Sequence, residues 1–423
     1  MIDIKLLRAD PEVYKRAGRE KNFPVDIDEL LEVDARLLSA RQELQDLRTR
    51  QNAAGKRIAA LTGSEKASAI EEMSRLKARA KELGDEVADL QPRFNELMLL
   101  VPQPADEGVP LGADDTENVE IRRVGELPRF DFEPKDHVQL GADLGIIDIE
   151  RGVKLAGSRN YVLVGAGALL HQAVLRLAMD TMMAKGYTFL TVPVLVREEV
   201  MYGTGYFPVG RDEAYLAERD GMSLVGTAEA PVTALHGGEI LEEADLPRKY
   251  FALSTCFRRE AGAAGKDTYG LYRIHYFDKV EQVIIGPNDR EQSIAFHQEI
   301  LANAEEVMAA LALPYRVVNV CTGDLGQGHV QKFDIETWMP SRNGYGETHS
   351  ASRFYEFQAR RLDLRYRGAD GKVRFCHTLN NTVIASPRIL IPILELYQNA
   401  DGSVTVPEAL RPYMGGMERI QGS

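Results

Sequence analysis

The chain has 423 residues, 44% of them hydrophobic, a formal net charge of -13 and three cysteines, so two or three packed domains are expected. Cys256, Cys321 and Cys376 form no CxxC pair, which argues against a disulfide framework or a cysteine-based zinc site and suits a reducing compartment. No run of about 18 apolar residues exists, and Met1-Ile-Asp-Ile-Lys lacks the basic-then-apolar layout of a signal peptide, so a soluble, cytoplasmic protein with no membrane partner is expected.

Residues 1 to 25 carry Ile4, Leu6, Leu7, Val13 and Tyr14 at near-helical spacing and predict a small cap before the break at Phe23-Pro24. From Asp26 a heptad seam follows. Leu30, Leu37, Leu44, Gln51 and Ile58 stand seven apart, with Val33, Ala40, Leu47, Ala54 and Leu61 interleaved. Thr62-Gly63-Ser64 signals a turn, and a second seam runs Met73, Leu76, Ala80, Leu83, Val87, Leu90, Phe94, Leu97, Val101. Two seams and a tight turn predict an antiparallel coiled-coil hairpin, with Pro92 expected to kink the returning helix.

Charge along this hairpin is uneven. Residues 48 to 81 hold nine Lys or Arg against three acidic residues, whereas 26 to 47 hold two against seven and 82 to 101 one against five. Arg48, Arg50, Lys56, Arg57, Arg75, Lys77, Arg79 and Lys81 therefore make a basic tip in an acidic protein. Such a tip suits a phosphate backbone; it also fits a merely solvated face, or one that docks an acidic protein.

Residues 102 to 130, rich in Pro, Gly, Asp and Glu, read as a linker. Residues 131 to 160 show short strand and turn signals and contain Asp136-His-Val-Gln-Leu-Gly. A helix is predicted over Ala168 to Ala184, then a strand over Tyr187 to Pro193. Leu224-Val-Gly-Thr-Ala-Glu229 follows, where Thr227 could cap a helix.

Tyr250 to Phe257 and Leu271 to Phe277 read as two strands joined by a loop rich in glycine (Gly262, Gly265, Gly270). Strand alternation would put Arg258 with Glu260 on one face, and Arg273 with Phe277 and Glu281. Arginines beside carboxylates on a sheet suit a phosphate or carboxylate ligand gripped bidentately. A surface hairpin with ordinary cross-strand salt bridges has the same spacing. Beyond it a helix over Asn288 to Ala312 and strands over Tyr315 to Val320 and Lys332 to Trp338 are expected, then Gly346-Glu-Thr-His-Ser-Ala-Ser352. His377 to Glu395 reads as a strand running into an apolar helix.

Phe257-Arg-Arg-Glu-Ala-Gly, Gly265-Lys-Asp and Gly270-Leu-Tyr-Arg-Ile-His-Tyr-Phe-Asp-Lys-Val-Glu-Gln282 together resemble motif 2 of the class II aminoacyl-tRNA synthetases, and specifically the seryl-tRNA synthetases. Residues 168–193 are similar to motif 1 and 377–395 to motif 3, so the resemblance covers nearly the whole chain. It implies an α+β fold, with an N-terminal antiparallel coiled-coil hairpin (1–104, tRNA-binding) and a catalytic domain (105–423) built on a mainly antiparallel β-sheet flanked by helices.

The resemblance further implies activation of L-serine by ATP with Mg2+, then transfer to tRNA(Ser), with tRNA(Sec) as a further candidate, by a homodimer. It places Arg258 between the α-phosphate and the serine carboxylate, Glu260 at the adenine end, Phe277 and Arg388 against the adenine ring and Arg273 on the triphosphate. Glu347 and Ser350 would hold magnesium, with Arg259, Thr348 and His349 beside the nucleotide. Glu281, Asn380 and Thr382 would read the serine hydroxyl, and Thr227-Ala228-Glu229 the ammonium. Thr382, His349, Arg259 and Tyr276 depart from the residues usual in the family. Two rival readings are a paralogue that loads a carrier protein and a non-catalytic coiled-coil protein. The first should have lost or shortened the arm, the second some of Arg258, Glu260, Glu281 and Arg388.

Overall fold

The computed structural model describes residues 1–262 and 269–422. Gly265, Lys266 and Asp267 of the expected loop lie outside the described residues. The chain divides into two compact units, Ile2–Pro102 and Gln103–Ser423.

In the first unit two short helices, Ile4–Ala9 and Pro11–Glu20, precede the long helices Ile27–Ile58 and Gly63–Leu100. Asp26 caps the first long helix by accepting from the Glu29 N–H at 2.9 Å. Gly63 supplies the positive φ (+63°) at which the chain turns back. The heptad seam is buried where it was expected: Leu37, Ala40, Leu44 and Leu47 on one helix, Leu76, Leu83 and Leu90 on the other. Towards the tip Gln51, Ala54 and Ile58 are only half-buried. Four ion pairs cross between the helices: Arg93–Glu29 (2.6 Å), Arg36–Glu86 (3.3 Å), Arg79–Glu43 (2.9 Å) and Arg50–Glu72 (3.9 Å). All four fall in a single antiparallel register. The returning helix runs unbroken through Pro92.

The second unit is built on an eight-stranded sheet. Its strands in chain order are β1 (Val119–Val124), β2 (Thr188–Leu190), β3 (Arg248–Phe257), β4 (Tyr276–Gly286), β5 (Tyr315–Asn319), β6 (Gln331–Met339), β7 (Gly344–Tyr355) and β8 (His377–Ser386). They lie in the order β1-β5-β6-β7-β8-β4-β3-β2, antiparallel throughout except for the β2–β3 edge. One face is covered by the helices Ala166–Ala184 and Arg290–Ala310 over a continuous apolar core that includes Val280, Ile284, Leu379 and Val383. Even the polar side chains on that face are tied down: Gln282 and Asn381 donate to the Ile300 carbonyl at 2.9 and 2.7 Å. The opposite face, carrying Lys279, Glu281, Asn380 and Thr382, is therefore left for the cleft. No helix among the described residues is long and apolar enough to cross a membrane.

Two expectations are corrected. The stretch 102 to 130 is not simply a linker, because Val119–Val124 pairs with Tyr315–Asn319 as the outer edge of the sheet. Its six residues are all exposed, so their Val/Ile content builds an edge strand and not a core one. The strand expected from Leu271 begins only at Tyr276. The Leu271 N–H is taken by His137 Nε2 at 3.1 Å and the His275 N–H by the Arg159 carbonyl at 3.2 Å, which draws residues 271 to 275 out of the ladder.

Candidate active site

The cleft lies where three central strands present their polar face. Phe277, Lys279 and Glu281 alternate along β4; Asn380 and Thr382 stand on β8, with Thr382 opposite Glu281; Ser350 and Ser352 stand on β7, with Ser352 opposite Asn380. Lys332 on β6 pairs with Ser352 and extends the row. One face of one sheet thus gathers cations, carboxylates and hydroxyls.

One end is closed by the short helix Glu229–Thr233, where Val232 and the preceding residue Ala228 share an apolar cluster with Val283 and Ile285. Thr227 opens that helix by accepting from the Glu229 N–H at 3.1 Å. The Glu229 carboxylate is buried and fixed by two donors, Tyr206 Oη at 2.5 Å and Gln358 Nε2 at 2.8 Å. Burial pushes its acid form above the ordinary carboxylate range, and the neighbouring Glu281 adds to this against those donors. Burial raises Glu281 too, opposed chiefly by the Lys279 ammonium in direct contact with it. Thr382 Oγ1 donates to Glu281 at 3.4 Å, and Asn380 Nδ2 is buried with no hydrogen-bond partner among the described residues. A buried amide donor left open beside two carboxylates is suited to a small polar ligand.

The other end is cationic. Arg258 leaves the end of β3 with its N–H on the His275 carbonyl (2.9 Å) and its guanidinium 5.2 Å from the centre of the Phe277 ring. Glu260 follows with φ +54°, a left-handed conformation costing roughly 1 kcal/mol or more in a non-glycine residue. Its carboxylate reaches Arg273 at 3.4 Å, so this pair meets through the loop and not as strand neighbours. Arg388 donates to the carbonyls of Tyr272 and Glu347, both at 3.0 Å, and stacks 4.5 Å from the Tyr272 ring centre. Desolvation would raise Glu347, but Arg388, Lys332, Arg258 and Lys279 outweigh it and hold the carboxyl below its ordinary range. Burial would likewise lower the Lys332 ammonium, yet Asp334, Asp324 and Glu347 raise it instead.

Most of the expected residues line this one cleft: Thr227, Glu229, Arg258, Glu260, Phe277 and Glu281, then Glu347, Thr348, Ser350, Asn380, Thr382 and Arg388. Four expected positions stand apart. Ala228 is buried in the packing beneath, and Arg273 is paired with Glu260 without lining the cleft among the described residues. Arg259 is exposed and donates to the Asp212 carbonyl at 3.3 Å. His349 lies opposite Ile335 on the helix-covered face, with Nε2 against the Val383 carbonyl at 3.1 Å, and burial lowers it to about 4. Its distance from Ser350 is one residue, which on a strand means the other face. Sequence reasoning missed Tyr206, Gln358, Lys279, Lys332 and Tyr272. Only Lys279 carried a signal, standing two residues from both Phe277 and Glu281.

The eight basic residues of the hairpin tip are all exposed. Arg50, Arg75 and Arg79 pair with carboxylates of the hairpin itself, whereas Arg48, Lys56, Arg57, Lys77 and Lys81 make no ion pair with a described residue.

Comparison with known proteins gives a consistent picture. Residues 1–104 match the seryl-tRNA synthetase N-terminal domain, and residues 215–397 the tRNA synthetase class II core domain (G, H, P, S and T). The serine--tRNA ligase of Deinococcus radiodurans is 44% identical over 99% of this chain and 98% of its own length, and that of Thermotoga neapolitana 46% over 98% and 99%. Among solved structures, the seryl-tRNA synthetase of Pyrococcus horikoshii complexed with ATP superposes with a TM-score of 0.93 at 36% identity, covering all of both chains. The cytoplasmic serine-tRNA ligase of Naegleria fowleri in complex with AMP gives 0.88 at 30%, covering 100% and 99%.

Proposed function

Because this chain belongs to the seryl-tRNA synthetase family, we propose that its cleft activates L-serine with ATP, releasing pyrophosphate, and passes the seryl group to the 3′ end of tRNA(Ser). The observation that carries the residue assignment is the placing of one guanidinium, Arg258, in the same cleft as two buried carboxylates, Glu229 and Glu281. A zwitterionic amino acid needs that pattern: a cation for its carboxylate, an anion for its ammonium, and a polar pocket for its hydroxyl. Two solved relatives hold ATP and AMP, which supports a nucleotide in the cationic half.

In the proposed step a serine carboxylate oxygen attacks the α-phosphorus, and the bond to the pyrophosphate oxygen breaks. The nucleophile is already ionised, so the protein aligns two anions and neutralises their charge. Arg258 bridges them. Arg388 and Phe277 hold the adenine and Glu260 its exocyclic end, with Arg273 steadying the Glu260 carboxylate instead of meeting the phosphates directly; Thr348 borders the nucleotide. Arg259 and His349 have no direct part, given where their side chains lie. Glu347 and Ser350 supply one carboxylate and one hydroxyl to the cleft. No set of three His, Cys, Asp or Glu among the described residues forms a metal cage, and this sparse donor set fits Mg2+ brought in on phosphate oxygens and water. When bound, that ion would offset phosphate charge.

Glu229 takes the ammonium, with the Thr227-Ala228 backbone beside it, and Glu281, Thr382 and Asn380 take the hydroxyl. A pocket built for a hydroxyl leaves its own groups unpaired when alanine or glycine enters, which is the basis of rejection. Residues 1–104 serve as the tRNA-binding domain and 105–423 as the catalytic domain of a cytoplasmic homodimer, with tRNA(Sec) a second acceptor. The test is ATP–pyrophosphate exchange with serine, threonine, alanine and glycine, followed by charging of total tRNA. Serine-specific exchange and charging are expected; exchange without charging would point to another acceptor, and no exchange with any amino acid would overturn the assignment.

The raised Glu229 and Glu281 acids give a pH signature. Both bind protons above the ordinary carboxylate range, so as pH falls the ammonium and hydroxyl lose their acceptors. KM for serine is expected to climb on the acid side before ordinary carboxylates titrate, with KM for ATP nearly level. Glu229→Gln should raise KM for serine by about 10- to 100-fold, the worth of one charged hydrogen bond, and flatten part of that climb. A KM for serine unchanged by the substitution contradicts the ammonium role.

A further inference from the structure

Asp136-His-Val-Gln-Leu-Gly141 lies outside the catalytic assignments above, yet its histidine is built into a buried network. His137 is 3% exposed and Glu395 fully buried. Three N–H groups converge on the Glu395 carboxylate: the His137 backbone N–H (3.1 Å) and ring Nδ1 (2.7 Å) on Oε1, and the Ser341 N–H (2.9 Å) on Oε2. With Nδ1 donating to the carboxylate, the neutral ring has Nε2 as an acceptor, and it receives the Leu271 N–H at 3.1 Å.

Both arms of this network end beside Tyr272. Leu271 precedes it in the chain, and Ser341 precedes Arg342, whose guanidinium lies 4.1 Å from the Tyr272 ring centre. Arg388 stacks on the same ring at 4.5 Å and donates its Nε to the Tyr272 carbonyl. A second cavity, lined by His137, Tyr269, Tyr272, Ser341 and Arg342, shares Tyr272 with the cleft. The chain passes so close to the imidazole that a Cβ at Gly270, whose φ is +66°, would stand 2.0 Å from Nε2.

We infer that His137 is a positioning residue for the nucleotide half of the cleft: held by Glu395, it fixes the backbone at Leu271 and so aims Tyr272 and, through it, Arg388. The inference rests on the proposed role of Arg388 at ATP. A histidine that only stitched its own helix to Glu395 would use Nδ1; the bond from Nε2 to the strand approach is what makes the difference.

Two substitutions separate these roles, since Asn can place an amide near Nδ1 and keep Glu395, whereas Gln reaches the Nε2 position and can accept from Leu271. In serine-dependent exchange His137→Asn should raise KM for ATP about tenfold with KM for serine unchanged, and His137→Gln should restore it to within about threefold. Thermal unfolding of the two variants should be similar. A wild-type KM for ATP in His137→Asn, or equal rises for both substrates in both variants, overturns the inference. Should His137→Asn fail to fold, the surface change Arg342→Gln must raise KM for ATP alone by about threefold, and no change there is equally fatal. Absence of exchange in the unsubstituted protein would instead remove the proposed reaction itself.

Discussion

Arg258→Ala is expected to lower kcat/KM for serine-dependent ATP–pyrophosphate exchange by about 10³-fold, equivalent to about 4 kcal/mol of transition-state stabilisation. The magnitude follows from what the side chain faces. In the proposed step it spans the attacking carboxylate and the α-phosphate, and negative charge builds between them in a cleft whose walls are a sheet and a short helix. Among the described residues the other cations of the cleft are engaged elsewhere: Lys279 with Glu281, Lys332 with Asp334 at 3.3 Å, and Arg388 with the Tyr272 and Glu347 carbonyls. Stability should barely change, because the residue is anchored through its backbone bond to His275 and its guanidinium only rests over Phe277. Arg258→Lys should recover little of the loss, since an ammonium lacks the planar fork that grips two anions. A kcat/KM within tenfold of wild type for Arg258→Ala, in a folded protein, would remove Arg258 from the centre of the mechanism.

Removal of residues 30 to 97 should cost even more in one assay and almost nothing in another. Charging of tRNA by the shortened protein is expected to fall by about 10³-fold or more, while serine-dependent exchange stays within about threefold. The interaction lost is electrostatic. Eight exposed cations sit at the hairpin tip and five make no ion pair with a described residue, in a protein of net charge -13. Phosphates gripped there release counterions, so the intact protein should also show a KM for tRNA that climbs steeply with salt. Neutralising Lys56 and Arg57 together should reduce that slope by roughly one for each phosphate no longer gripped. Charging that survives the deletion would assign tRNA binding elsewhere, and loss of exchange would show that the arm supports the catalytic fold.

What could be read from the residues was mostly periodic. The hairpin seam and the strand from Lys332 come from spacing, because burial on one face imposes spacing, whereas the strand at His377 is buried on both faces and reads as a β-rich run entering an apolar helix. The edge strand Val119–Val124 escaped because an all-exposed strand imposes no such pattern. Leu271 to His275 looked like a strand and is not one, since His137 and Arg159, more than a hundred residues away, take its N–H groups. At the site, arginines and carboxylates of the resembling motif were legible, whereas Tyr206, Gln358 and Tyr272 acquire meaning only where distant segments converge. His349 is different: its neighbour Ser350 faces the cleft, and strand parity alone sufficed to turn the histidine away.

The single register of the four ion pairs along the hairpin constrains how such an arm can change in length. Residues added to one helix alone would put the pairs and the seam on one side of the insertion out of phase with those on the other. Viable length variants should therefore come as matched insertions or deletions on the two helices, in steps of about seven residues, which preserve the seam. The arm then behaves as a ruler with fixed graduations, and the reach of its basic tip is quantised at roughly 10 Å per step.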